Sequence, residues 1–373
     1  MQFRDLKTQY EKLKPSIDIG IQSVIDNTAF ISGTPVKEFE EKMAAYVGVR
    51  HCITCGNGTD ALSMMLMAWN IKEGDAVFVP DFTFFATGEV VSFKGATPVF
   101  VDVDESTFNM NPSRLEDAIQ AVLKEGKLIP RLVIPVDLFG LPASYSEIKK
   151  VAKQYGLKIL EDSAQGFGGR IKSQKACSFG DSATTSFFPA KPLGCYGDGG
   201  AIFTKDDEIA AYLRSIQVHG KGSYKYDNVR IGLNSRLDTI QAAIMLPKLK
   251  ALQDYELDKV NEIAGEYTEY LKDIVKTPLT PGGYYSSWAQ YTIRLKDQKE
   301  RDSLKKYLEL KEIPTMIYYP IPMHRQKAFK DIKYYQECLV TEKLCQTVLS
   351  LPMHPYLEKG DIRYVVESIR EYL

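Results

Sequence analysis

"RLVIPVDLFGLPASYSEIKKVAKQYGLKILEDS", residues 131–163, is the stretch whose reading decides the fold. "RLVIPV" is a short apolar run, "SYSEIKKVAKQYG" has helical spacing, and "KILEDS" is a second apolar run closed by acids. Two strand-like runs joined by one helix form the unit of a parallel sheet, because parallel neighbours need a crossover connection. The same alternation continues upstream. "HCITC" (51–55) leads into a helix opening at Thr59 in "GTDALSMMLMAW", followed by "DAVFVP" (75–80). A helix beginning near "TFFATGEVVSF", the run "TPVFVDV" (97–103) and the helix "PSRLEDAIQAVLKEG" come next. Downstream, "DSATTSFF" (181–188) and "GGAIFTKD" (199–206) read as consecutive strands. The expectation is an α/β protein whose large domain carries a mostly parallel mixed sheet flanked by helices.

From "RLDTIQAAIMLPKLKALQDYELDKVNEIAGEYTEYLKDI" onward the pattern is long and helical, with a kink expected at Pro247. The proline- and glycine-rich "TPLTPGGYY" reads as a loop. "SSWAQYTIRL", a charged helix near 297–310, "TMIYYPIP" and a last helix near 359–371 indicate a smaller C-terminal α+β domain. The division falls between 245 and 255, giving 1–248, with the N-terminal segment, and 249–373.

Of the 373 residues, 44% are hydrophobic and 25% charged, an ordinary composition for a soluble globular chain. A net charge of −1 offers no global field for nucleic acid or an anionic membrane. No apolar run reaches the roughly 18 residues that span a bilayer, and "MQFRDLKTQYEKLKPSI" lacks a signal-peptide core. Six scattered cysteines make no disulfide scaffold, so a reduced cytoplasmic setting is expected. Cys52 and Cys55 form a C-x-x-C without a second ligand pair, and the plain reading is an apolar strand running into a glycine turn. His51, His219, His324 and His354 lack metal spacing, and no metal is expected.

Three stretches carry chemistry. In open α/β sheets, ligands bind beyond the carboxyl ends of the strands. "CGNGTDAL" offers a strand, a glycine turn and a helix start there, either a phosphate site or a simple N-cap. "KILEDSAQGFGG" ends an apolar strand on Asp162, with Gln165 three positions on. A buried acid needs a cationic partner, and a helix cap is the alternative reading. In "SFFPAKPLGCYGDGG" (186–200), Lys191 lies between Pro189 and Pro192. Most lysines are surface charges, but one held in dry surroundings loses part of its preference for the ammonium form. Its neutral amine can then form a Schiff base. The Phe-Phe-Pro segment would keep that amine dry. Together these features ask for a ligand with a phosphate, a protonatable ring nitrogen and an aldehyde, which pyridoxal 5'-phosphate combines. Asp162 would keep the nitrogen protonated, and Phe84 in "DFTFFAT" offers a flat apolar face for the ring.

"GTDAL", "PDFTFFAT", "GATPVFVDVD", "EDSAQ", "SFFPAKPLGCYGDGGA", "HGKGSYKY" and "GLNSRLDTIQAAI" resemble the sugar aminotransferases called DegT/DnrJ/EryC1/StrS, in family order from residue 4 to the C-terminus. The resemblance implies a fold-type I pyridoxal phosphate enzyme, a homodimer with its active site at the subunit interface, acting on nucleotide-linked keto sugars. Carried onto this chain, it implies Lys191 as the Schiff-base lysine and catalytic base. Asp162 would lie on the ring nitrogen, Gln165 near the phenolic oxygen, and Phe84 against the ring. Gly58, Thr59 and Ser186 would hold the phosphate, with Asn234 reaching it from the partner subunit. Some members of the family carry histidine in place of the lysine and are dehydratases; Lys191 favours transamination.

"NSRLDTIQAAIMLPKL", "AQYTIRL", "YYPIPMHRQ" and "LSLPMHPYL" are similar to the subgroup acting on UDP-2-acetamido-2-deoxy-3-oxo-glucuronate in bacterial O-antigen synthesis. Arg236 would then pair with the sugar carboxylate, with Tyr318 and Tyr319 also at the substrate. A histidine-tyrosine pair common in that subgroup reads Tyr318-Tyr319 here. Glutamate is the expected amino donor. Two other readings stand beside this one: a 4-aminotransferase on a UDP- or dTDP-4-keto-6-deoxyhexose, and a non-catalytic regulatory protein that binds the cofactor.

Overall fold

The computed structural model describes residues 1–224 and 226–373; Lys225, inside "HGKGSYKY", lies outside the described residues. Seven strands form the central sheet: β1 His51–Cys55, β2 Asp75–Pro80, β3 Thr97–Val101, β4 Ile129–Val133, β5 Lys158–Asp162, β6 Ser182–Ser186 and β7 Gly200–Thr204. Their spatial order is β1-β7-β6-β5-β4-β2-β3. The five strands β2 to β6 pair in parallel, and β7 runs antiparallel between β6 and β1. The mixed sheet expected from the sequence is therefore present.

Strands covered on both faces read as unbroken apolar runs, and every residue of β2 is buried. Its side chains alternate between two cores. Val77 and Val79 pack with α3 (Gly58–Ala68), α4 (Ala86–Phe93) and α7 (Asp207–Ile216). Ala76 and Phe78 face α5 (Pro112–Glu125) and α6 (Tyr145–Tyr155). Further along that second face, Ala201 and Phe203 of β7 meet α2 (Thr34–Val47) and α8 (Thr239–Ala251). The N-terminal helix α1 (Leu6–Asp26) packs along α8.

The kink expected at Pro247 is not where the helix breaks. α8 runs through Pro247, and the irregularity is a π-helical turn, Leu252–Glu256, leading into α9 (Leu257–Leu271). A proline removes one hydrogen bond, and the neighbouring turns of a well-packed helix can hold it straight. Beyond α9, the antiparallel pair β8 (Tyr291–Arg294) and β9 (Val348–Leu351) packs with α10 (Gln298–Leu310) and α12 (Lys359–Tyr372). α11 (Leu339–Thr347) precedes β9. "TMIYYPIP" forms no strand, only a bridge from Met316 to Ser350.

Successive residues of β5 point to opposite faces, so its two terminal acids have separate surroundings. Glu161 is fully buried, and its carboxyl accepts the backbone N–H of Phe179 at 2.6 Å and of Gly180 at 3.2 Å, with a further bond from Cys177. Burial and the nearby Asp137 carboxylate push its pKa well above the ordinary range. This single side chain closes the excursion between β5 and β6. Replacing Glu161 by Ala strands two buried donors and one half-buried donor and is expected to cost about 3 kcal/mol or more. Urea unfolding measures the loss, and Glu161→Gln, which keeps one acceptor, should lose less.

Candidate active site

Asp162 closes the carboxyl end of β5, the central strand of the sheet, and is 5% exposed. Thr87 of α4 donates its hydroxyl to Asp162 Oδ2 at 2.9 Å, and the Ala164 N–H reaches Oδ1 at 3.2 Å. Burial raises the Asp162 pKa, while the Ala164 N–H, the Thr87 hydroxyl and the charge of Lys191 act to lower it. The carboxylate is thus kept usable in a dry place by two donors and one cation.

Lys191 rides on the loop between β6 and β7. Phe187 donates its N–H to the Gly199 carbonyl at 2.7 Å, and Cys195 donates to the Phe187 carbonyl at 2.8 Å. Within that neck, the Lys191 N–H turns back to the Phe188 carbonyl at 2.8 Å. The chain doubles so closely that a Cβ on Gly194 would lie 2.3 Å from the Pro189 carbonyl oxygen, so only glycine fits. Burial pulls the Lys191 amine down to about 8, against the Asp162 carboxylate, which raises it, and together with the Arg4 guanidinium, which lowers it.

The dry setting does not come from the two phenylalanines, as the sequence suggested. Phe187 faces the core against Phe39, with ring centroids 5.5 Å apart, and Phe188 is 54% exposed. Phe187 alone anchors the loop in the core.

Asn57 caps α3, accepting the Asp60 N–H at 2.7 Å, and the helix starts at Gly58, one residue before the expected Thr59. The first helical bond runs from Ala61 to the Asn57 carbonyl at 3.1 Å, which leaves the Gly58 and Thr59 N–H groups ahead of it. In the sheet, Gly200 pairs with both Cys55 and Ser186, which levels the end of β1 with the end of β6. The turn after β1 therefore lies against Ser186, and a Cβ on Gly58 would sit 2.8 Å from the Ser186 Cβ. Two free N–H groups, a helix dipole and a hydroxyl make an anion cradle.

Gln165 is buried; its Oε1 accepts the Phe139 N–H at 2.8 Å and its Nε2 donates to the Tyr319 hydroxyl at 3.0 Å. The Tyr319 ring lies 6.5 Å from Phe84, which is 55% exposed, and 5.7 Å from Tyr318. These bonds carry the C-terminal tyrosines to the carboxyl end of the sheet. Asn234 is exposed and accepts a bond from Arg236. Between them, the Ser235 hydroxyl accepts the Gly56 N–H at 2.9 Å and donates to Asp60 at 2.6 Å, holding this segment beside the start of α3.

Several residues at the site carry no signal in the sequence. Thr87 is one threonine among several, and Arg4 looks like one charge of an amphipathic terminus. Arg4 Nη2 in fact donates to the Lys191 carbonyl at 3.0 Å. Asp81, His324 and Cys338 also converge, with ligand-type atoms within 4.8 Å of one another. The Asp81 carboxylate takes the His324 N–H at 2.8 Å and lies 2.6 Å from its Nδ1, pinning the turn after Tyr319 to the end of β2. Cys52 and Cys55 are buried free thiols in and at the end of β1, the plain reading of C-x-x-C.

The model of the DegT/DnrJ/EryC1/StrS aminotransferase family matches residues 13–370. The chain is 43% identical over 370 residues to a UDP-2-acetamido-2-deoxy-3-oxo-D-glucuronate aminotransferase of Pseudomonas aeruginosa, covering 99% of both chains. It is 42% identical over 373 residues to a pleiotropic regulatory protein of Geobacillus stearothermophilus, covering 99% of this chain and 97% of that one. The crystal structure of a DegT DnrJ EryC1 StrS aminotransferase from Brucella abortus superposes with a TM-score of 0.97 at 51% identity, covering 100% of this chain and 99% of the other. Matched along nearly its whole length, the chain belongs to the DegT/DnrJ/EryC1/StrS aminotransferase family.

Proposed function

We propose that this chain is a pyridoxal phosphate-dependent aminotransferase that moves the amino group of glutamate to C3 of UDP-2-acetamido-2-deoxy-3-oxo-glucuronate, in bacterial O-antigen synthesis. The observation that carries the reading is a lysine amine lowered to about 8 that shares the dry carboxyl end of the sheet with a buried carboxylate, Asp162. The 43% identity to the P. aeruginosa enzyme supports the substrate. The donor set fits the cofactor: an amine for the aldehyde, a carboxylate for the ring nitrogen and an anion cradle for the phosphate. Bound, the cofactor supplies the carbonyl that accepts the amino group and the electron-poor ring that stabilises an adjacent carbanion.

In this proposal Gly58, Thr59 and Ser186 bind the phosphate, Asp162 holds the proton on the ring nitrogen, Gln165 lies near the phenolic oxygen and Phe84 covers a ring face. Lys191 Nζ takes the proton from the α-carbon of the amino acid and returns one in the second half-reaction. An amine poised near 8 can do both at neutral pH, because both protonation states are accessible. Arg236 takes the sugar carboxylate with a planar fork of donors, beside Tyr318 and Tyr319. The protein works as a cytoplasmic homodimer in which Asn234 of the partner subunit reaches the phosphate, and the chain divides into units 1–248 and 249–373.

The name of the G. stearothermophilus relative favours, as a second reading, a regulatory protein that binds the cofactor without turnover. Incubating the holoenzyme with glutamate and candidate UDP-keto sugars, with NMR of the product, separates the readings. An aminated 3-keto uronate supports the proposal; a 4-aminated hexose, or no turnover with glutamate, overturns it.

Two further outcomes follow from the site. Only the unprotonated amine attacks an aldehyde, so capture of added pyridoxal phosphate by apoenzyme should accelerate as pH rises and level off above about 8. Stopped-flow absorbance measures this, and borohydride should then leave pyridoxyl on the Lys191 peptide; a midpoint near 10, as for an ordinary lysine, contradicts the assignment. Arg236→Leu should raise KM for the sugar acid by about tenfold to a hundredfold while sparing neutral keto sugars. Equal effects on both would remove Arg236 from the carboxylate.

A further inference from the structure

Among the described residues, Arg4 is the one of the N-terminal arm that hydrogen-bonds to Lys191. The arm is fixed by two contacts with the C-terminal segment: Met353 donates its N–H to the Phe3 carbonyl at 3.2 Å, and His354 Nε2 lies 3.2 Å from the Gln2 carbonyl oxygen. The Phe3 ring meets Tyr318 edge-on at 6.2 Å. Arg4 therefore sits on the wall between Lys191 and the Tyr318-Tyr319 pair, its Nη2 on the Lys191 carbonyl.

A guanidinium has five N–H donors and cannot shed its proton inside a protein. That bond to Lys191 is the hydrogen bond of the Arg4 side chain within the described chain, and no carboxylate of the described residues forms an ion pair with it. Asp5, its neighbour in the chain, and Glu256, whose charge acts on Arg4 across space, both spend their hydrogen bonds elsewhere. Asp5 caps α1, taking the Thr8 N–H at 2.9 Å and its hydroxyl at 2.7 Å. Glu256 accepts from Gln9 at 2.8 Å and from Tyr356. Two other basic groups lie within range of the Arg4 charge. Lys248, 1% exposed, has an Nζ without a hydrogen-bond partner, and His354 is held neutral, its pKa pulled down to about 4 by burial and by Arg4. Glu256 balances part of this charge across space, but no carboxylate of the described residues lies within ion-pair distance of the Arg4 guanidinium, and a ligand that brings one gains charge-assisted hydrogen bonds on binding.

We propose that Arg4 is the anchor for the α-carboxylate of the amino donor, a site separate from Arg236. This rests on the aminotransferase reading. The α-carboxylate is bonded to the carbon whose proton Lys191 moves, so its anchor has to stand next to that lysine. The carboxylate of a uronate lies three bonds from C3 and needs an anchor further out. Arg4 meets the first requirement through its contact with the Lys191 main chain.

Glutarate, which has the carboxylates of glutamate but no amine to react, is the probe. Isothermal titration of the holoenzyme with glutarate is expected to show binding that Arg4→Met weakens by about tenfold to a hundredfold. Arg4→Lys, which keeps a cation and a donor for the Lys191 carbonyl, should fall between the two. Cofactor stoichiometry and thermal midpoint confirm that each variant is folded, and the uncharged dimethyl ester serves as control. Unchanged glutarate affinity in Arg4→Met overturns the assignment, as does an equal loss for the ester or a loss confined to the sugar acid. Because glutarate binding needs no turnover, a failure to aminate any keto sugar would sink the substrate reading and leave this result standing.

Discussion

The burial of one carboxylate, Asp162, sets the terms for the rest of the site. A charged acid at the end of a covered strand is stable only if donors and an opposite charge meet it there. Thr87 from α4, the Ala164 N–H and the cation of Lys191 provide them. Register matters as much as chemistry. A slip of one residue in β5 would turn Glu161 toward the site and Asp162 toward the 177–180 turn, leaving both without partners. The two adjacent acids lock each other's direction, so the strand has one acceptable position.

The reversed strand β7 is the second constraint. By pairing Gly200 with both Cys55 and Ser186 it draws the start of α3 against the end of β6. The anion cradle is thus a by-product of sheet pairing, made possible where glycine allows close approach. The remaining walls come from far along the chain. Tyr319 is held by Gln165, the following turn by Asp81, and the N-terminal arm by Met353. Each is a hydrogen bond between segments more than a hundred residues apart, so the site is complete only when the termini have docked.

Much of this was legible because it is written in local pattern. The alternation of apolar runs and helices marked the strands β1 to β7 with errors of a few residues, since a parallel sheet buries both faces. Lys191 and Asp162 stood out because a charged residue in an apolar setting breaks the pattern around it. The misreadings have physical causes. Phe187 and Phe188 looked like a dry lining, but on a turn their side chains diverge, one to the core and one to solvent. Pro247 looked like a break, but packing on both sides keeps α8 helical through it and the irregularity falls later.

What the sequence by itself determined is therefore the fold class, and it singled out Lys191, Asp162 and the glycine turn after β1 as candidates. These follow from periodicity and from residues whose chemistry conflicts with their neighbours. Only the tertiary structure decided which donors make that chemistry affordable. Thr87, Arg4 and the Asp81–His324 tether are ordinary residues in ordinary local contexts. They gain roles through contacts across distances of 75, 187 and 243 positions. Local pattern records what a segment does with its own backbone, and it holds no record of which distant cation or hydroxyl the folded chain sets beside it.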